Sequence, residues 1–289
     1  MPIIKLLRVH QWIKNLFVFV PAFFAAKLLE VNVLELSLTF LAFSLVSSAV
    51  YVINDYRDIE ADKLHPVKKN RPLAAGTVSK QTGIILFILS LVFGFGLATY
   101  LSLGLVVVLA LYFIINIGYS FGLKNVPILE LFFVASGFLL RVVAGSVVTD
   151  IHMSHWAIIM VFLLALFLII AKRRDDLVMY LNTNTAPRKA IKNYNLQFIN
   201  STLSMISGVI IVVYLMYCLS PEVIERFNNE YLYGTSLFII AGIFRYLQIT
   251  MVDQKSGSPV KTLYTDQFII ATVLGWVASF FLIIYFNKL

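Results

Sequence analysis

The chain has 289 residues, of which 60% are hydrophobic and 13% charged, and its mean hydropathy is +0.88. A soluble domain is about half apolar and about a quarter charged, so this composition excludes a soluble fold and predicts side chains that face lipid. The single cysteine, Cys218, excludes a disulfide framework and a cysteine-based zinc site. The net charge of +8 is expected to reflect membrane topology and anionic partners, and no nucleic-acid partner is predicted.

Nine apolar stretches follow one another along the chain, and a bilayer crossing takes about 20 residues. They lie at about 16–29, 34–53, 81–100, 103–121, 127–149, 155–171, 198–219, 235–252 and 266–286. We therefore predict an all-α, multi-pass membrane bundle of about nine transmembrane helices, with residues 1–289 forming a single domain.

The basic residues predict the orientation. With the N-terminus in the cytoplasm, most of the 23 lysines and arginines fall in cytoplasmic segments, as the positive-inside rule requires. The long polar loops 54–80 and 172–197 are then inside, and loop 220–234 is outside. We expect a cell-membrane protein whose C-terminus lies outside and whose active site faces the cytoplasm.

The first polar loop carries the clearest chemical pattern. Asn54, Asp58 and Asp62 are spaced by four residues, so a continuing helix would place them on one face. Oxygen ligands suit Mg²⁺, which usually takes one or two carboxylates and completes its shell with water and substrate phosphates. Downstream, Lys68 and Arg71 could bind the phosphate oxygens. The alternative is a solvated loop whose charges only set topology, but carboxylates at a membrane boundary are costly unless they are used.

Arg141 lies inside the stretch 127–149, where an unsatisfied charge costs about 3 kcal/mol or more. We expect it to face a cavity and bind an anion; the alternative is a structural pair with Glu130 or Asp150.

Three further polar residues lie near predicted helix ends. Gln11 and Lys14 precede the first stretch and could hold a lipid phosphate, and Lys124 follows the fourth stretch. The alternative for the two lysines is an anchoring role, in which the side chain reaches the membrane surface.

The first loop resembles a known signature. Asn54-Asp55-x-x-Asp58-x-x-x-Asp62-x-x-His65-Pro66-x-Lys68-x-x-Arg71-Pro72 resembles the first aspartate-rich motif of UbiA-superfamily prenyltransferases. Nine helices with polar loops after the second and sixth match the layout of that family. The resemblance implies that Mg²⁺ on Asn54, Asp58 and Asp62 holds a diphosphate donor, with Asp55, Lys68 and Arg71 beside it.

Finer matches resemble the decaprenyl-phosphate phosphoribosyltransferase-like branch. They are Arg8-x-x-Gln11-Trp12-x-Lys14-Asn15-Leu16, then Tyr119-Ser120 with Leu123-Lys124, and Ser136-Gly137-Phe138-x-x-Arg141-x-x-x-Gly145. This branch implies transfer of 5-phosphoribosyl from phosphoribosyl diphosphate to a polyprenyl phosphate, with release of pyrophosphate, as a step of cell-envelope biosynthesis. Tyr119, Lys124 and Arg141 are then expected at the substrate.

The second polar loop departs from the broader family, which often carries a second spaced aspartate motif. Here the segment is Lys172-Arg173-Arg174-Asp175-Asp176, and its adjacent carboxylates cannot share one helical face. We expect Lys172, Arg173 and Asp176 to form an added phosphate site, for example for the ribose 5-phosphate. The alternative is a positive-inside anchor.

Two other functions stay open at this point. One is a prenyltransferase that moves a prenyl group from an allylic diphosphate to an aromatic or lipid acceptor. The other is a transporter or lipid-binding protein, which would show paired, broken helices in two matching halves. The expected partners are a polyprenyl phosphate or other isoprenoid lipid, a diphosphate donor and the bilayer, and assembly into a homo-oligomer is left open.

Overall fold

The computed structural model describes residues 1–25, 27, 30–64, 68–183, 189–253 and 259–286, and they form helices, turns and loops without a β-strand. The α-helices are α1 Pro2–Leu6, α2 Val20–Phe24, α3 Val33–Arg57, α4 Ile59–Lys63, α5 Lys80–Leu101, α6 Leu103–Ser120, α7 Leu129–Thr149, α8 His155–Thr183, α9 Leu196–Cys218, α10 Pro221–Phe227, α11 Ser236–Met251, α12 Pro259–Thr265 and α13 Gln267–Phe286. The predicted all-α class is therefore confirmed.

Seven helices within the described ranges are long and apolar enough to cross a membrane. They are α3, α5, α6, α7, α8, α9 and the segment Tyr231–Met251, which joins a 3₁₀ turn to α11. The apolar part of α13, Gln267–Ile283, is shorter. A multi-pass membrane protein is thus confirmed, whereas the count of nine crossings stays a prediction.

The first apolar stretch begins earlier than the predicted 16–29 and is a 3₁₀ helix, Val9–Phe19, followed by α2. Its 11 residues extend about 22 Å, because a 3₁₀ helix rises about 2.0 Å per residue. This segment is not among the seven spanning candidates found in the described residues, so its crossing of the bilayer stays a prediction.

The chain divides into two compact units. The first unit combines Met1–Gly122 with Gly137–His152, and the second combines Leu123–Ser136 with Met153–Leu289. Helix α7 begins in the second unit and ends in the first.

In the first unit, glycines allow helices to approach closely. A Cβ at Gly94 of α5 would lie 2.8 Å from Val46 Cγ2 and 3.2 Å from the carbonyl oxygen of Ala42, both on α3. A Cβ at Gly145 of α7 would overlap the carbonyl oxygen of Val18 in the 3₁₀ helix. Membrane helices associate through such close packing because lipid provides no hydrophobic drive between them. Helix α3 is the centre of this unit and positions the polar residues at its end.

In the second unit, polar pairs connect the last helices. The Tyr214 hydroxyl shares a hydrogen bond of 2.5 Å with Thr235 and accepts the indole N–H of Trp276 at 2.6 Å. Arg245 on α11 donates to Asp266 at 2.8 Å, and Asp266 also accepts the backbone N–H of Ile269 in the first turn of α13. These bonds hold α9, α11 and α13 together.

The two long polar loops that the sequence predicts on the cytoplasmic side are partly helical. Helix α3 continues to Arg57 and is followed by α4, within the predicted loop 54–80. The prediction of a loop at 172–197 is wrong for residues 172–183, because α8 continues to Thr183 and includes Lys172 to Asp176. The physical reason is that the buried Glu130 pairs with Arg173 and Asn200 accepts from Arg174, so the helix can continue through these two buried residues.

Candidate active site

The three-residue row keeps its helical spacing although the helix is interrupted. Helix α3 ends at Arg57, Asp58 has φ −89° and ψ 7°, and α4 follows. The Asp58 N–H still donates to the Asn54 carbonyl at 3.1 Å, and the Asp62 N–H donates to the Asp58 carbonyl at 2.8 Å. These bonds are of the α-helical type, so Asn54, Asp58 and Asp62 follow one another at about one turn each.

Asp55 at the end of α3 and Asp62 in α4 share one arginine. Nη1 of Arg71 lies 3.1 Å from Oδ1 of Asp55 and 2.7 Å from Oδ2 of Asp62. Both aspartates are only 2% exposed, so their charges need partners inside the protein. Arg71 is therefore the counter-charge that joins the loop after α4 to the carboxylates before it.

Arg8 is a second partner of Asp55. Its Nη2 lies 2.5 Å from Oδ1 of Asp55, and its guanidinium lies over the ring of Tyr51 at 4.7 Å. The backbone of Arg8 is left-handed, with φ 49°, a conformation that is costly for a residue with a side chain. Such strain persists where surrounding contacts over-determine it, and here it lies next to the ion cluster.

Arg57 connects the end of α3 to the end of α6. Its Nη1 donates to the carbonyl of Ser120, and its guanidinium lies 4.4 Å from the centre of the Phe121 ring. The half-buried Tyr119 is thereby held in the same unit as the aspartate cluster. Lys68 also belongs to this unit, because its carbonyl accepts the backbone N–H of Arg71 at 2.9 Å.

The 3₁₀ helix that carries Gln11 and Lys14 is fastened to α3 by side-chain bonds. Trp12 donates to Ser48 at 3.0 Å, and the buried Asn15 donates to Ser44 at 2.8 Å. Gln11 and Lys14 are themselves half-buried. Tertiary bonds thus fix a segment whose 3₁₀ geometry is otherwise uncommon at this length.

Arg141 is buried among neutral groups. It donates to the Asn15 side chain at 2.7 Å, the Gly137 carbonyl at 2.6 Å and the Tyr112 hydroxyl at 3.3 Å, and it lies near the rings of Phe43, Tyr112 and Phe138. Phe43 precedes Asp55 by twelve positions on α3, or about 18 Å of helix rise. The described side-chain hydrogen bonds of Arg141 are to neutral groups, and its predicted role at the substrate stays a prediction.

Arg173 forms a closed ion network in the second unit. Its Nε and Nη2 bond the two carboxylate oxygens of Glu130 at 2.5 and 2.7 Å, and Nη1 bonds Asp176 at 2.9 Å. Arg173 is 3% exposed and Glu130 is fully buried. Each of its nitrogens therefore already faces a carboxylate, with which a substrate phosphate would have to compete.

The other basic residues of the second unit near this segment differ from Arg173 in their partners and in their exposure. Arg174 donates to Asn200 on α9 at 2.8 Å and is 4% exposed, whereas Lys172 is exposed. Lys124 lies half-buried in a 3₁₀ turn of the same unit. The Tyr194 hydroxyl accepts the backbone N–H of Ile128 at 2.7 Å, and burial raises the pKa of Tyr194. Lys172 is thus the base of this segment that is most accessible to a ligand.

The residue types of the first loop suit a magnesium ion that is bound together with a phosphate ligand. Asn54, Asp58 and Asp62 supply one amide and two carboxylates, which is a donor set that Mg²⁺ accepts. In the part of the chain that is described, no group of three His, Cys, Asp or Glu side chains is arranged to hold a metal ion. An ion here would take its remaining ligands from water and a diphosphate. His65 and Pro66 of the motif lie outside the described residues.

Comparison with known proteins decides the family, because residues 15–273 match the family model described as the UbiA prenyltransferase family.

The chain belongs to the UbiA prenyltransferase family.

Individual relatives agree with this assignment. The chain is 29% identical to decaprenyl-phosphate phosphoribosyltransferase of Mycolicibacterium smegmatis, over 99% of this chain and 93% of that protein. It is also 29% identical to the protein of the same name from Corynebacterium glutamicum, over 98% of this chain and 86% of that protein. Its fold is similar to that of a UbiA homolog from Archaeoglobus fulgidus bound to DMAPP and Mg²⁺, with a TM-score of 0.72, 19% identity and coverage of 98% and 99%.

The family match confirms the resemblance seen in the sequence and identifies the UbiA-type chain as a membrane transferase. The structure brings together Asn54, Asp55, Asp58, Asp62 and Arg71 at the end of α3. Lys124, Lys172, Arg173 and Asp176 belong to the second unit. The predicted roles of these residues stay predictions.

Sequence reasoning missed several partners. Arg8 and Asn15 stood in the opening motif, yet their bonds to Asp55 and Arg141 were not anticipated. Glu130 was considered only as a partner of Arg141, whereas it bonds Arg173. The sequence did contain a signal for this pair, because an acidic residue within an apolar stretch, such as Glu130, usually has a basic partner.

Proposed function

We propose that the chain transfers 5-phosphoribosyl from phosphoribosyl diphosphate to a polyprenyl phosphate and releases pyrophosphate in a Mg²⁺-dependent reaction. The observation that carries the proposal is the pair of buried aspartates bridged by Arg71, beside Asn54 and Asp58. The near-full-length similarity to two decaprenyl-phosphate phosphoribosyltransferases supports this choice of donor and acceptor. We also propose that this site faces the cytoplasm, as the distribution of lysine and arginine predicts.

In the proposed reaction, the bond between C1 of the ribose and the diphosphate oxygen breaks, and that oxygen keeps the electron pair. A phosphate oxygen of the lipid forms the new bond to C1. The lipid phosphate is already anionic, so this step needs no strong general base.

The chain's own residues bind the departing diphosphate. Asn54, Asp58 and Asp62 would hold Mg²⁺, which when bound supplies positive charge to the leaving pyrophosphate. Arg71 and Lys68 supply N–H donors to phosphate oxygens, and the planar guanidinium of Arg71 can donate two parallel bonds.

The second unit supplies a separate basic group. Lys172 is exposed on α8 next to Arg173, whose network with Glu130 and Asp176 holds this part of the helix in place. We propose that Lys172 binds the 5-phosphate of the ribose, with Arg173 and Asp176 positioning it. Gln11, Lys14 and Tyr119 in the first unit are proposed to contact the lipid phosphate or the donor.

The test uses the full chain purified in detergent, with Mg²⁺, ribose-labelled phosphoribosyl diphosphate and a polyprenyl phosphate. We expect label to move into the organic-extractable lipid and to require both substrates and the metal. A parallel reaction offers labelled prenyl diphosphates with an aromatic acceptor or a lipid acceptor. Label incorporated only in the parallel reaction would replace the proposal with prenyl transfer, and no transfer in either reaction would contradict an enzyme of this chemistry.

A further inference from the structure

Nη1 of Arg71 contacts both buried carboxylates, those of Asp55 and Asp62. Nη1 lies 2.7 Å from Asp62 and 3.1 Å from Asp55, and both aspartates are 2% exposed. Two carboxylates that are close and desolvated repel each other unless a cation lies between them. Arg8 lies 2.5 Å from Asp55, whereas the described cation at Asp62 is Arg71.

A metal ion at the proposed site would need the same carboxylate of Asp62. Asp62 is one of the proposed ligands, and its Oδ2 already accepts a charged hydrogen bond from Arg71. A divalent cation and this guanidinium therefore compete for Asp62. A diphosphate changes the competition, because its oxygens offer the guanidinium new bonds of the strong, charge-assisted kind.

We propose that Arg71 is an internal counter-ion that holds Asp62 while the diphosphate is absent and releases it when a diphosphate takes over the guanidinium. The identity of the natural diphosphate rests on the proposed function, but the exchange itself does not. Metal alone then binds weakly, and metal and diphosphate each strengthen the binding of the other, as reciprocal coupling requires. The metal is thereby loaded mainly together with the donor.

The test measures metal binding without any turnover. Mn²⁺ replaces Mg²⁺ as the probe, and protein-bound Mn²⁺ is measured by equilibrium dialysis, with inorganic pyrophosphate absent or present on both sides so that Mn²⁺ complexed by free pyrophosphate is not counted. Arg71→Gln should bind Mn²⁺ alone about tenfold more tightly than wild type, because the competitor is gone. Pyrophosphate should strengthen Mn²⁺ binding clearly in wild type and much less in Arg71→Gln, because the exchanged group is missing.

Lys63→Gln is the matched control. It removes one positive charge next to Asp62, but Lys63 is half-exposed and pairs with Glu60 at 3.0 Å, so no carboxylate of the cluster is released. Its Mn²⁺ affinity should change by less than about threefold, since exposed pairs interact weakly. A tightening in Arg71→Gln no greater than that in Lys63→Gln would overturn the proposal.

Arg71→Lys covers the case in which Arg71→Gln does not fold. Lysine keeps the charge but lacks the planar, delocalised guanidinium, so it should hold Asp62 less firmly and give intermediate Mn²⁺ affinity. Affinity equal to wild type in this variant would also count against an exchange. Neither probe contains ribose or lipid, so a failed phosphoribosyl transfer assay leaves this result unaffected, and the reverse also holds.

Discussion

Replacing Asp58 with asparagine should lower turnover about a hundredfold while leaving the fold intact. Asp58 is half-buried at the junction of α3 and α4, and its two backbone hydrogen bonds do not depend on the side chain. Asparagine has nearly the same size, and most point substitutions change the free energy of unfolding by about 0.5–3 kcal/mol, so we expect this half-buried position to lie at the low end of that range. The thermal unfolding temperature of the purified variant should therefore stay near that of wild type.

The expected loss of activity is much larger than the loss of stability. The substitution removes the charge that holds Mg²⁺ against the diphosphate as the leaving group gains negative charge. Each tenfold loss of rate corresponds to about 1.36 kcal/mol, so a loss of about 2.7 kcal/mol in transition-state stabilisation lowers turnover about a hundredfold.

Asp55→Asn is the control, because we expect it to lower stability, whereas Asp58→Asn should mainly lower activity. Asp55 is 2% exposed and accepts from Arg8 at 2.5 Å and Arg71 at 3.1 Å. Breaking a buried ion pair costs about 3–5 kcal/mol, so this variant should unfold at a clearly lower temperature. The assay measures labelled lipid product against Mg²⁺ concentration, together with thermal unfolding in detergent. Near-normal turnover in Asp58→Asn, or full wild-type activity with a chelator, would refute the reasoning.

Three further outcomes are expected from other parts of the structure. Glu130→Gln should lower the free energy of unfolding by about 3–5 kcal/mol, because it leaves the buried Arg173 without its main counter-charge, and denaturant unfolding without such a change would disagree with this network. Gly145→Ala should reduce the yield of folded protein, because its Cβ would overlap the Val18 carbonyl; normal yield and unfolding temperature would argue against that contact. A cysteine at the exposed position Glu60 should react with an impermeant reagent only after cells are opened, and labelling of intact cells would reverse the predicted topology.

The sequence predicted the membrane-spanning helices well. The stretches 81–100 and 103–121 correspond to α5 Lys80–Leu101 and α6 Leu103–Ser120, because a run of apolar side chains that must face lipid leaves a plain signal in composition. The boundaries failed where charged residues continue a helix. Residues 172–183 belong to α8 although they are polar, because Arg173 finds Glu130 on another helix.

The candidate site was predicted in its residue types but not in its pairings. The spacing of Asn54, Asp58 and Asp62 indicated oxygen ligands at one-turn intervals, and the backbone bonds across Asp58 preserve that spacing. No local pattern indicated that Arg71 would lie between Asp55 and Asp62, or that Arg8 would reach Asp55 from 47 positions away. The sequence shows that buried charges need partners, but not which partners they find.

Composition and apolar runs by themselves determined a multi-pass helical membrane protein, since these properties depend on residues close in sequence. The UbiA assignment rested on the resemblance of the motif around Asn54, Asp58 and Asp62 to a known signature. Only the tertiary structure decided which partners the buried arginines have. Arg141 donates to Asn15 and Tyr112. Arg173 pairs with Glu130 and Asp176, and Arg71 pairs with Asp62. The physical reason is that the strength of an ion pair depends on distance and burial, and both are set by how helices far apart in the chain pack against each other.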